Sequence, residues 1–89
     1  MEAQQFDVAL SLAGRDTGSI YLVSSVLNEN SCFVVDGKLK PLANPKKKNV
    51  KHLKIIGNAK EEFEGGLENK AGNKDAKIRK ILKEFEKGL

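Results

Sequence analysis

The chain has 89 residues, 31% of them charged, with a net charge of +4 and a single cysteine, Cys32. A chain this short builds one domain with little interior for an enzyme cleft, and one thiol closes no internal disulfide. No run of about 18 apolar residues exists to span a bilayer, and Met1-Glu2-Ala3-Gln4-Gln5 has neither the basic start nor the apolar stretch of a secretion signal, so a cytoplasmic location is expected.

Phe6, Val8, Leu10 and Leu12 alternate with Asp7, Ala9, Ser11 and Ala13, the period-two pattern of a strand with one buried face. Gly14 and Gly18 then frame a tight loop in which positive φ is expected, and residues 19–27 resume as a second strand on Ile20, Leu22, Val23 and Val26. After the turn Asn28-Glu29-Asn30, residues 31–36 form a third strand, apolar on both parities, in which Cys32 reads as a small buried hydrophobe. Asp36-Gly37 is a hairpin signal leading into a short strand over residues 38–42. Pro45 keeps Asn44 out of the helical region and three adjacent lysines repel one another, so residues 44–49 read as a loop. Residues 50–56 are the last strand, ended by Gly57-Asn58. Five short strands joined mostly by tight turns fit a small SH3-like barrel over residues 6–57 better than a sandwich, which needs more strands.

Residues 58–72 read as a mixed-charge linker in which Gly65, Gly66 and Gly72 oppose a continuous helix. Asn73 can cap a helix over residues 73–88, with Asp75 in its first turn, an apolar stripe of Ile78, Ile81, Leu82 and Phe85, and Gly88 at its end. So short a helix is marginal alone in water, and its stripe needs a partner surface, for which the third strand is one candidate.

Charge is unevenly spread. Residues 36–57 hold seven lysines against Asp36 alone, whereas from Asn58 onward eight basic residues meet seven acidic ones, the balance of a solvated surface. The basic footprint thus belongs to the β-rich part.

Gly14-Arg15-Asp16-Thr17-Gly18 with the strands after it, then Val35-Asp36-Gly37, then Asn44-Pro45-Lys46-Lys47-Lys48-Asn49-Val50-Lys51-His52-Leu53, resemble the KOW-domain family. More narrowly they resemble the bacterial RNA-binding KOW proteins that are similar to a group of archaeal and eukaryotic large-subunit ribosomal proteins. The resemblance covers residues 6–57. It implies an SH3-like barrel that docks on structured RNA, most often ribosomal RNA, without catalytic activity; no cofactor motif is visible in the residues, so no cofactor is expected. It also implies Gly18 and its neighbour Arg15 as candidate contacts, because in the family the turn holding the second glycine approaches nucleic acid or a protein partner. Many members carry lysine directly after that glycine; this chain has Ser19, which removes one expected phosphate contact.

Lys46, Lys47 and Lys48 are candidates to neutralise adjacent phosphates, the alternative being a solvated loop. Asn44 and Asn49 either hydrogen-bond a ribose or base edge or act as ordinary turn formers. Lys51 and His52, as strand neighbours, point to opposite faces; Lys51 is the phosphate candidate, and His52 either stacks on a base or closes the barrel rim. Arg15 either makes a bidentate phosphate contact, joined by exposed backbone N–H groups of the turn, or pairs with Asp16. With five aromatic residues and no tryptophan, stacking along a single strand is a poor fit, and folded RNA read through backbone and shape a better one. No zinc-ligand spacing, nucleophile–base pair or carboxylate dyad is present, so neither a metal, a small-molecule substrate nor an enzyme is expected. The expectation is an RNA-binding module associated with ribosomal RNA of the large subunit or its precursor, with ribosomal proteins as further neighbours. The alternative is a protein-interaction module of the transcription or translation apparatus using Ile78, Ile81, Leu82 and Phe85.

Overall fold

The computed structural model describes residues 2–63 and 74–89, and in them five strands form one antiparallel sheet followed by an α-helix. The strands are β1 (Asp7–Ser11), β2 (Ile20–Val26), β3 (Ser31–Val35), β4 (Lys46–Asn49) and β5 (Leu53–Asn58), and the helix is α1 (Lys74–Lys87). Their order is β4-β3-β2-β1-β5. The first four strands pair with their chain neighbours, and β5 returns to the open side of β1, with Ser11 opposite Leu53 and Asp7 opposite Asn58.

Only the 3₁₀ turn Val50–His52 joins the two outer strands. Val50 N–H donates to Asn30 O at 2.9 Å, in the turn between β2 and β3, and Leu12 N–H donates to His52 O at 2.8 Å, just beyond β1. One short turn reaches loops at opposite ends of the meander because the sheet coils strongly upon itself, an extreme of the ordinary strand twist. β4 and β5 do not pair with each other, so the coil stays open.

Coiling gives the sheet two buried faces. On one, Val8, Leu22 and Val35 meet Phe6, Phe63 and the Ile78, Ile81 and Leu82 stripe of α1. On the other, Ala9, Tyr21, Val23, Cys32, Val34 and Leu53 fill the inside of the curl. β1 therefore differs from the one-sided strand expected: Val8 and Ala9 are both fully buried, whereas Leu12 is 50% exposed. Cys32 is buried as expected, and that burial pushes its thiol pKa up.

The helix lies on the sheet. Gly57 permits this, since a Cβ there would overlap the Phe85 ring. Asp75 Oδ1 accepts from Leu42 N–H at 2.9 Å, and the Arg79 guanidinium donates to Gly37 O. With Ile78, Ile81 and Leu82 buried and Phe85 half-buried against the first cluster, the stripe is used by the fold itself, which corrects its reading as a partner-binding surface. The segment expected as a linker also begins inside the core: Ala59 is buried, and the 3₁₀ turn Lys60–Phe63 stacks Phe63 on Phe6 with ring centroids 5.5 Å apart. The proposed cap Asn73 lies outside the described residues.

Two further expectations are corrected. Residues 38–42 are not a strand, because Asp36 Oδ1 accepts from Lys38 N–H at 2.8 Å and Lys40 N–H at 2.9 Å and winds the chain into a turn around Gly37, at φ 76°. The fourth strand is instead the lysine run, with Phe33 opposite Lys47 and Cys32 opposite Lys48. Among the described residues no helix is long and apolar enough to cross a membrane.

Candidate nucleic-acid interface

The loop between β1 and β2 is built around Asp16. Gly14 and Gly18 take φ 93° and 92°, the left-handed region expected of them. They turn the Asp16 carboxylate inward, where Oδ1 accepts from Ser11 Oγ at 2.9 Å and Lys48 Nζ at 2.7 Å, and Oδ2 from Tyr21 Oη at 2.7 Å. Lys46 Nζ stands 3.4 Å from Oδ2. Burial by itself would raise the Asp16 pKa; the bonds from Lys48, Tyr21 and Ser11, with the Lys48 charge, outweigh it and hold the carboxyl well below the usual carboxylate range. Burial, then the bond to Asp16, pushes the Tyr21 phenol up.

This network decides what the loop offers outward. Arg15 is exposed and makes no ion pair with Asp16, whose carboxylate is taken by lysines from β4. Three of the backbone donors at the turn are spent internally: Thr17 and Gly18 N–H bond Gly14 O and Ser11 O, and Ser19 N–H bonds Asp16 O. The loop therefore presents the exposed Arg15 side chain outward while Asp16 is turned inward.

The lysine run is split by strand alternation. Lys46 and Lys48 share the inner face, and Lys47 points to the outer one. Lys48 is buried and paired with Asp16, which removes it from the phosphate-binding set; Lys47 is exposed, and the Lys46 side chain is 43% exposed. Lys40 joins this group, its Nζ 5.3 Å from the Tyr21 ring centroid. Lys51 and His52 are exposed in the 3₁₀ turn rather than on opposite faces of a strand. The Asn49 side chain accepts from Lys51 N–H at 3.0 Å and so caps that turn, while Asn44 is exposed.

Sequence reading missed the cations of α1. An open groove of about 830 Å³ lies between Gly18–Ser19–Ile20, the Asp36–Lys38 turn and the helix face carrying Arg79, Lys80 and Lys83. Averaging charge over the C-terminal third hides this, because the helix segregates those cations by its 3.6-residue period. Among the described residues no cluster of three or more His, Cys, Asp or Glu could hold a metal ion. Compared with known proteins, the chain matches no family model and no curated protein.

Proposed function

We propose that the protein is a non-enzymatic RNA-binding module, an SH3-like barrel of KOW type that docks on structured RNA, ribosomal RNA of the large subunit or its precursor, in the cytoplasm. The observation that carries this reading is the grouping of cations at the Asp16 loop, where Lys46 is held by Asp16 and Lys40 by the Tyr21 ring and the exposed Arg15 stands in the loop itself. Such a group neutralises phosphates and gives affinity that falls steeply with salt. The coil of the sheet and its short 3₁₀ link between outer strands support the SH3-like assignment, and the KOW resemblance of residues 6–57 supports the choice of ribosomal RNA.

Sedimentation of a cell lysate through a gradient at low and high salt, with the protein followed across ribosomal fractions, tests the reading. It should travel with the large subunit or its precursor at low salt and leave at high salt. In direct titration with ribosomal RNA, Arg15→Gln should reduce the log-affinity against log-salt slope by roughly 0.7 to 0.9, one phosphate contact. Absence from every ribosomal fraction, with no salt-dependent RNA binding, would overturn it.

A further inference from the structure

Resting on the RNA-binding reading, we infer that the groove between the Gly18 turn and α1 is a second phosphate-binding site, and that the ligand is paired RNA held by both of its backbones. Ile20 and Tyr21 are successive residues of β2 and face opposite ways: Ile20 packs toward the helix cluster, Tyr21 into the curl. The loop Gly14–Gly18 thus stands at the boundary between two basic groups. Lys40 and Lys46 lie on the Tyr21 side, with the exposed Arg15 in the loop itself, and Lys38, Arg79, Lys80 and Lys83 lie on the Ile20 side. The Asp36–Lys40 turn is divided in the same way, giving Lys40 to one group and Lys38 to the other.

Charge complementarity selects a polyanion for the groove. Four cations face Asp36 and Glu86, and among the described residues none of Lys38, Arg79, Lys80 and Lys83 forms an ion pair. An incoming phosphate therefore displaces no carboxylate. Arg79 is held by its bond to Gly37 O, which fixes one wall of the groove. At Gly18 even an added Cβ would meet nothing within 4 Å, so a ligand can approach that wall closely.

Pairing of the RNA follows from the two-sided arrangement. An A-form duplex has a wide, shallow minor groove bordered by two phosphate rows, a shape that takes a protruding loop between its strands and sets one row against each basic group. A single strand offers one row, and its usual anchor, an exposed aromatic platform, is missing: Phe6, Tyr21 and Phe63 are buried, and Phe33 and Phe85 are half-buried.

The test is a salt titration of a short blunt-ended RNA duplex, either of its single strands, and heparin, with the parent and with Lys38→Gln/Lys80→Gln/Lys83→Gln. These side chains are exposed, so the variant should keep the parent's thermal midpoint, and Arg79 is left in place. The parent should bind the duplex more tightly than the single strand or heparin. The variant's duplex slope should fall by roughly 1.8 to 2.7 if two or three contacts are lost, so over a fourfold rise in salt the parent loses roughly 12- to 40-fold more affinity than the variant. A variant with the parent's slope on a duplex that the parent does bind overturns the groove and leaves the RNA-binding reading standing. Equal binding of duplex, single strand and heparin overturns the paired ligand, and a parent that binds no RNA overturns both.

Discussion

Replacing Asp16 by asparagine removes the one carboxylate in a cage of donors. The Lys48 side chain is 8% exposed and that of Asp16 10% exposed, and their 2.7 Å contact is the closest tie between β4 and the β1–β2 loop. Breaking a buried pair by neutralising one member leaves the other charge uncompensated, at a cost of about 3 to 5 kcal/mol. In a domain of this size that lowers the thermal midpoint by at least about 12 °C. Lys48→Met should cost less, because Asp16 keeps Ser11 and Tyr21 as donors and Lys46 nearby. The double variant should be more stable than the sum of the singles requires, by about 0.5 to 3 kcal/mol. Urea unfolding followed by circular dichroism measures all three. The pH dependence has a definite sign, because the folded pKa is depressed. The carboxylate contributes fully above its unfolded value of about 3.9, and the contribution is lost as pH falls below it toward the folded value. Acid should therefore destabilise the parent more than Asp16→Asn below that pH. An Asp16→Asn protein within about 0.5 kcal/mol of the parent would refute the cage and make this an ordinary surface pair.

Gly57→Ala should cost about 1 to 3 kcal/mol by driving a methyl into the Phe85 ring, and Gly57→Ala/Phe85→Leu should recover part of the loss in the same unfolding assay. Removing residues 59–89 should abolish cooperative unfolding, because Val8, Leu22 and Val35 would lose Phe63 and the whole helix stripe. A truncated chain with a sharp melt would show that the inside of the curl is a sufficient core.

Local pattern carried much of the fold. β1, β2 and β3 stand where alternation and glycine turns put them, and the apolar stripe of α1 was plain from its spacing. The lysine run was misread because charge density argues for a loop, whereas Lys48 is kept in a strand by an acid 32 positions away. No window of sequence contains that pairing. The triple lysine substitution that a loop would tolerate should for this reason destabilise the protein. Arg15 was legible as an exposed cation, but the inward turn of its neighbour Asp16 depends on Tyr21 and β4. The groove needed the helix to be docked before Lys38 and Lys80 could be seen as neighbours.

The return of β5 to β1 also shapes how the chain reaches this structure. Leu10 pairs with Ile20 in a hairpin, but Ser11 must find Leu53, a closure roughly four times longer and costlier by about 1.2 kcal/mol in chain entropy. The first three strands can therefore assemble early, while Val8 and Leu22 stay open to water until both β5 and α1 arrive. During synthesis the meander emerges with one apolar face bare. Folding of this small chain should be limited by that late closure and should fall toward the slow, non-local end of the range for domains of its length, which stopped-flow refolding would measure.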